Sequence, residues 1–90
     1  MKTHLKIHIK GQVQAVGFRY NARIQAEKKR LTGFITNNHD GSVYIEAEGN
    51  LANLEKFITW CEKGSRFAKV DSVDIKKGRL KNYEKFQIIR

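Results

Sequence analysis

The chain has 90 residues, of which 40% are hydrophobic and 30% are charged. That length suits one domain with a single core, and the composition is that of a globular chain, not a disordered one. Eighteen basic residues against nine acidic ones give a formal charge of +9, which favours anionic partners such as nucleic acid, acidic membranes or phosphorylated small molecules. No apolar run approaches the roughly 20 residues of a membrane span. We therefore predict a single domain over residues 1–90.

The N-terminus and the cysteine content both bear on location. The segment MKTHLKIHIKG is basic but alternates polar and apolar residues, so it lacks the continuous apolar core of a signal peptide. Cys61 is the single cysteine, which rules out an internal disulfide and fits a reducing compartment. We expect a cytoplasmic location with no membrane partner.

The first third of the chain predicts a strand, a loop and a helix. Residues 4–10, HLKIHIK, alternate strictly between apolar and polar, which is typical of a half-buried strand. The loop Gly11–Gly17 follows. Residues 18–30 predict a helix from their length, their Ala, Gln, Glu, Lys and Arg content and the absence of internal Gly or Pro. Its apolar residues form two rows, Phe18/Ala22/Ala26 and Tyr20/Ile24/Leu31, so the buried face stays undefined.

The middle of the chain predicts a hairpin and a second helix. The strand-like runs 34–37 and SVYIEAEG flank the turn sequence NHDG. Asn50 is a suitable cap for a helix, and Lys63-Gly64 is a suitable stop. Between them the apolar residues recur at helical spacing: Leu51, Leu54, Phe57, Ile58 and Cys61.

Two short apolar patterns complete the predicted fold. Val73 with Ile75 marks a fourth strand, and Phe86 with Ile88 marks a short fifth one. The order is β-α-β-β-α-β plus a terminal strand, and each strand has one apolar face. Two helices should therefore cover one side of a mainly antiparallel sheet. We predict a two-layer α/β sandwich (α+β) of the ferredoxin-like kind, a fold that hosts many functions.

Two residue groups suggest chemistry that their context argues against. Cys61 and Arg66 resemble the cysteine and arginine of cysteine phosphatases, but the spacing is one residue short and Cys61 lies on an apolar helix stripe. A buried thiol in such surroundings is protonated and inert. His4 and His8 share a strand face, but their spacing puts them more than about 10 Å apart, with lysines between them. We predict no metal site.

The open sheet face is the place to look for nucleic-acid binding. RNA-recognition domains share this order of elements, and they stack bases on aromatic side chains of that face. Here the first strand offers His and Lys, while the third offers Tyr44 flanked by Glu46 and Glu48, which would repel phosphates. We predict no nucleic-acid partner and interpret most lysines as solvated surface.

The loop GQVQAVGFR, residues 11–19, has the features of an anion site. Its backbone N–H groups from Gln14 to Phe18 can converge at a helix N-terminus, where unpaired donors and the helix dipole favour negative charge. Arg19 adds a permanent cationic fork. The alternative is a plain strand-to-helix connection with a solvent-facing Arg19. The loop pattern alone favours neither, because glycine loops before helices are common.

Together with LTGFITNNHDGSV, residues 31–43, this loop strongly resembles the two signatures of the acylphosphatase family. The likeness continues through the second helix, VDSVDI and the closing FQIIR, so it covers essentially the whole chain. The resemblance implies a monomeric enzyme that hydrolyses small acyl phosphates to a carboxylate and inorganic phosphate, without metal or cofactor. Inorganic phosphate would then be both product and inhibitor.

The resemblance also implies roles for single residues. Arg19 matches the phosphate-binding arginine, and Asn37 matches the residue that orients the attacking water. Ala15 stands where the family usually has glycine; if this position needs a positive φ, alanine costs about 1–2 kcal/mol. The alternative is a non-catalytic domain of the same fold, as found inside hydrogenase maturation factors. The implied phosphate-binding loop comprises Gln14, Ala15, Val16, Gly17, Phe18 and Arg19.

Overall fold

The computed structural model describes residues 1–90 as five strands and two helices in the predicted order. The strands are longer than the sequence patterns indicated, because pairing with neighbours extends them beyond their apolar residues. The strands are β1 (Lys2–Gln12), β2 (Thr32–Asn37), β3 (Val43–Asn50), β4 (Lys69–Gly78) and β5 (Phe86–Ile89), and the helices are α1 (Phe18–Lys28) and α2 (Leu51–Lys63).

The sheet has the strand order β4-β1-β3-β2-β5. Only β2 and β5 run parallel, so the predicted ferredoxin-like, mainly antiparallel sheet is confirmed. Its core lies between one sheet face and the two helices. As predicted, the Asn50 side chain caps α2 by accepting a hydrogen bond from the Asn53 N–H at 2.9 Å. Neither helix is long and apolar enough to cross a membrane.

The structure resolves which row of α1 faces the core. Phe18, Ala22 and Ala26 are buried, whereas Tyr20 of the other row is 57% exposed. Leu31, the last residue of that other row, is also buried, but it follows the end of the helix at Lys28. The small alanines let the helix backbone approach the sheet closely. Tyr20 is thereby left on the outside of α1, next to the loop that precedes the helix.

The outer face of the sheet is not fully open, and here the interpretation from sequence was wrong. His4 is only 1% exposed, and its two ring nitrogens lie 2.7 Å from Glu48 Oε2 and 2.8 Å from Glu46 Oε1. The segment between β4 and β5 covers this cluster, and the backbone N–H groups of Lys81 and Tyr83 donate to Glu48. The two glutamates expected to repel phosphates at the surface are therefore buried and paired.

The ionisation of this cluster follows from its contacts. Burial alone raises the pKa of Glu48, but hydrogen bonds from the Lys81 N–H and the His4 ring outweigh it, so the pKa lies below its ordinary value of 4.5. Burial likewise raises the pKa of Glu46, but the Tyr44 hydroxyl and Lys81 reverse the direction. Ionised carboxylates only accept hydrogen bonds, so both glutamates act as acceptors in this cluster.

We expect acid to destabilise the protein through these glutamates. Their depressed pKa values contribute stability that is present above the unfolded value of 4.5 and is lost as pH falls through the folded values. Urea unfolding across about pH 3 to 7 should show a shallower pH dependence for Glu48→Gln than for wild type. Glu55→Gln, an exposed position on α2, should keep the wild-type slope. Equal slopes for Glu48→Gln and wild type would contradict this assignment.

Candidate active site

The β1–α1 loop, residues 13–17, is fixed at both of its ends. Just before it, near the end of β1, Gly11 sits at a bulge where a Cβ would lie 2.1 Å from the Lys69 carbonyl oxygen, so only glycine fits. At its end, Phe18 is buried with its ring 5.2 Å from that of Trp60. Packing therefore positions the loop, and the Phe18 side chain belongs to the core; only its backbone is available to a ligand.

The backbone N–H groups from Gln14 to Tyr20 have no hydrogen-bond acceptor within the protein. The first bond of the α1 ladder is donated by Asn21 N–H to the Gly17 carbonyl, at 3.1 Å. Gly17 caps α1 in a left-handed conformation, φ 75°, and supplies no side chain to the free donors. The first turn also carries no acidic residue. Unpaired donors and an uncompensated helix dipole make this segment suited to an anion.

A cavity of about 190 Å³ lies against this loop. It is smaller than the roughly 300–1,000 Å³ of pockets for drug-sized ligands, so it suits a small one. Arg19 lines it, and neither Arg19 nor the cavity's second arginine, Arg90, forms an ion pair with a carboxylate. The lining residues are Val13, Ala15, Gly17, Phe18, Arg19, Tyr20, Ile88 and Arg90.

A larger groove, of about 740 Å³, lies elsewhere, on the outer sheet face. Lys6 and Lys76 are paired opposite each other there, close to His8 and Asp74. No arginine lines this groove, and Asp74 places an acidic side chain in it. The smaller cavity is therefore the better candidate for phosphoryl chemistry, despite its size.

Asn37 is the last residue of β2, and its Oδ1 atom is buried without a hydrogen-bond partner. The loop is tied to the adjacent turn because Gln14 Nε2 donates to the Asn38 carbonyl at 2.7 Å and to the Ser42 carbonyl at 2.9 Å. This places the loop and the end of β2 at one edge of the sheet. Asn37 does not itself line the 190 Å³ cavity.

The backbone at Ala15 is strained, because its φ of 60° lies in the left-handed region that favours glycine. Position 15 therefore has the positive φ under which alanine was expected to cost stability. Val16, the next residue, is held by a hydrogen bond from Ser65 Oγ to its carbonyl oxygen, at 2.9 Å. The rest of the loop thus holds Ala15 in a conformation that alanine disfavours.

We expect Ala15→Gly to stabilise the protein by about 0.5–1 kcal/mol. The free energy gained by relieving the left-handed strain exceeds the free energy lost because glycine makes the unfolded chain more flexible. For a domain of this size that corresponds to a rise in Tm of roughly 2–8 °C. Thermal unfolding measures it. The control Ala52→Gly, at an exposed position in α2, should instead lower Tm. A lower Tm for Ala15→Gly would show that the alanine is accommodated without strain. Tighter phosphate binding should accompany the relief.

The other candidates from the sequence have structural roles. Cys61 is fully buried on α2, so its predicted place in the core is confirmed, and burial raises the pKa of its thiol. His4 is held by its two glutamates. His8 Nε2 lies 2.7 Å from Ser42 Oγ. The structure does not bring these groups to the cavity.

Sequence reasoning missed two features of this site. Arg90 reaches the cavity through the parallel pairing of β5 with β2, which no local pattern reveals. Gln14 was predicted only as a backbone donor, yet its side chain anchors the loop to the β2–β3 turn. Its position in a glycine loop carries no signal for that contact.

The fold and the free donors beside Arg19 define a class of protein, a small ferredoxin-like domain suited to bind a phosphate-sized anion. A sequence model of the acylphosphatase family matches residues 5–88. The chain is 40% identical to an acylphosphatase of Archaeoglobus fulgidus over 84 residues, covering 93% of this chain and 94% of the relative. The crystal structure of acylphosphatase from Bacillus subtilis superposes with a TM-score of 0.95 at 36% identity, covering both chains completely. This chain belongs to the acylphosphatase family.

The chain also superposes on part of a larger protein. The crystal structure of full-length HypF, in a phosphate- and nucleotide-bound form, contains a region that superposes with a TM-score of 0.89 at 28% identity. That region covers all of this chain but only 12% of the HypF chain. The same fold therefore occurs both in proteins of this length and as part of a much longer one.

Proposed function

We propose that the chain hydrolyses acyl phosphates by direct attack of water on a phosphoryl group held by Arg19 and the β1–α1 loop. Membership of the acylphosphatase family makes acyl phosphate hydrolysis its activity. The roles of single residues are our assignment. One observation carries it: a continuous run of unpaired backbone N–H groups lies beside Arg19 at a helix N-terminus without acidic residues.

The chemistry of the substrate explains why so few groups suffice. An acyl phosphate is a mixed anhydride whose leaving group is a carboxylate, with a pKa of about 4. Such a group departs without being protonated, so no general acid is needed. No nucleophilic side chain is needed either, since water can attack the phosphorus directly. What the protein must supply is positioning and charge stabilisation.

Arg19 and the loop meet the charge requirement in complementary ways. Charge in the transition state spreads over the three equatorial phosphoryl oxygens. The guanidinium of Arg19 can bind two of them through parallel hydrogen bonds. The backbone N–H groups of Gln14–Phe18 can bind the remaining oxygen without reorganisation, because packing fixes the loop before substrate arrives. These groups together form the phosphate-binding loop, Gln14–Arg19.

We assign to Asn37 the role of orienting the water that attacks the phosphorus. Its buried Oδ1 has an unused acceptor position, and the amide group also carries donors. A water that donates to this oxygen would be held at the edge of the sheet where the loop meets the end of β2. Fixing the water in line with the leaving group lowers the entropic part of the barrier.

We further propose that residues 1–90 act as one domain, as a monomer in the cytoplasm, without a metal or cofactor and without a nucleic-acid or membrane partner. The loop donors and the guanidinium supply the positive charge that magnesium provides in many phosphoryl-transfer enzymes. The single reduced cysteine is compatible with a cytoplasmic location.

Turnover of benzoyl phosphate, with and without a chelator, tests this function. We expect release of inorganic phosphate at an equal rate in both conditions, and competitive inhibition by added phosphate. A non-catalytic domain would bind phosphate without turnover. Loss of activity with the chelator would contradict the metal-independent mechanism.

A further inference from the structure

Arg90 lines the same cavity as the loop residues Ala15 and Gly17. Strand β5 runs parallel to β2 and pairs Ile89 with Thr36, so the next residues along the two strands, Arg90 and Asn37, are level with each other. Arg90 lines the same cavity as Arg19. The topology thus brings a second arginine to the edge of the sheet at which the proposed phosphoryl site lies.

The cavity has more guanidinium groups than a phosphoryl group alone requires. Two arginines line about 190 Å³, and no acidic side chain is among the lining residues. Neither arginine is paired with a carboxylate elsewhere. Two guanidinium groups at a small site repel each other, and an anionic ligand relieves this repulsion. Arg19 and the loop N–H groups satisfy the phosphoryl dianion, which leaves the hydrogen-bond donors of the Arg90 guanidinium for another group.

Two other lining residues are suited to contact a short carbon chain. Ile88 is half-buried on β5, one residue before Ile89, and Tyr20 extends from the outside of α1 with 57% of its surface exposed. Both line the cavity. An acyl chain can lie along these side chains while its phosphoryl end occupies the loop and its far end approaches Arg90.

We propose that Arg90 binds a carboxylate on the acyl portion of the substrate, so that the enzyme prefers acyl phosphates of dicarboxylic acids. This inference rests on the proposed function of the loop and assigns a specificity to the rest of the same cavity. Arg90 contacts the substrate at a distance from the reacting phosphorus. Its guanidinium matches a carboxylate through two hydrogen bonds.

A matched pair of substrates tests the assignment. Succinyl phosphate and butyryl phosphate have the same chain length and differ in one terminal carboxylate. We expect wild type to favour succinyl phosphate in kcat/KM, and Arg90→Gln to lower the succinyl-to-butyryl ratio about tenfold, mainly through KM. Arg90→Lys keeps the charge and should retain most of the preference. Arg66→Gln, an exposed arginine next to Phe67 and outside the cavity, should keep the wild-type ratio.

The outcomes separate the two proposals. A ratio that is unchanged in Arg90→Gln overturns the carboxylate assignment while leaving the phosphoryl site intact, because hydrolysis of both substrates continues. Absence of a wild-type preference for succinyl phosphate overturns it as well. Failure of wild type to hydrolyse either substrate overturns the proposed function itself, and the assignment of Arg90 with it.

Discussion

Replacement of Arg19 by lysine is expected to lower kcat/KM for benzoyl phosphate by at least about 10²-fold. Lysine keeps the positive charge but offers a single point of attachment, whereas the guanidinium can bind two phosphoryl oxygens in a fixed geometry. The neighbouring loop donors are fixed by packing and cannot move to replace the missing hydrogen bond. The loss should appear both in kcat and as weaker inhibition by inorganic phosphate.

The control for this experiment is Arg79→Lys, which changes an exposed arginine on the segment between β4 and β5. It alters the side chain in the same way and leaves the net charge unchanged, but it lies outside the cavity. We expect wild-type kinetics for it. Near-normal turnover by Arg19→Lys would remove Arg19 from the proposed catalytic role.

Removal of the Asn37 side chain should separate catalysis from binding. We expect Asn37→Ala to lower kcat by about 10²–10³-fold, the range seen when one preorganised polar group is deleted from an active site. Inhibition by phosphate should persist, since Arg19 and the loop remain. The buried Oδ1 has no hydrogen-bond partner in the protein, so its removal breaks no bond to that oxygen. Stability should therefore change little, which distinguishes this role from a structural one.

The adjacent asparagine provides the matched control. Asn38 Nδ2 donates to Ser42 Oγ at 2.9 Å within the β2–β3 turn. Asn38→Ala should lower Tm through loss of this bond while reducing kcat far less than Asn37→Ala does. If Asn37→Ala lost phosphate inhibition and kept its kcat, Asn37 would be a binding residue and the water assignment would be wrong.

The sequence predicted best what depends on local periodicity. The Asn50 cap and the apolar stripe of α2 are patterns within a few residues. The structure has the cap, and it buries Leu54, Phe57 and Cys61 of the predicted stripe, whereas Leu51 at the start of the helix is 49% exposed. The face of α1 could not be chosen from sequence, because both apolar rows were plausible and only packing against the sheet selects Phe18, Ala22 and Ala26. Local patterns thus defined the elements, whereas tertiary contacts decided which sides face the core.

The features that the sequence could not reveal all depend on distant segments. The alternation of β1 assigns His4 to the polar face, but its burial requires the β4–β5 segment, more than seventy residues further along the chain. Arg90 joins the cavity only through the β2–β5 pairing. The strain at Ala15 could be stated from the sequence only as a condition, since its φ is set by how the whole loop packs.

Residue-resolved NMR titration of the backbone amides with inorganic phosphate tests the proposed phosphate-binding loop, Gln14–Arg19, most directly. We expect the largest chemical-shift changes at the N–H groups of residues 14–19, with much weaker binding in Arg19→Lys. Shifts centred instead on the outer-face groove around Lys6 and Lys76, with the loop amides unaffected, would show that phosphate binds elsewhere and that the β1–α1 loop is only a connection.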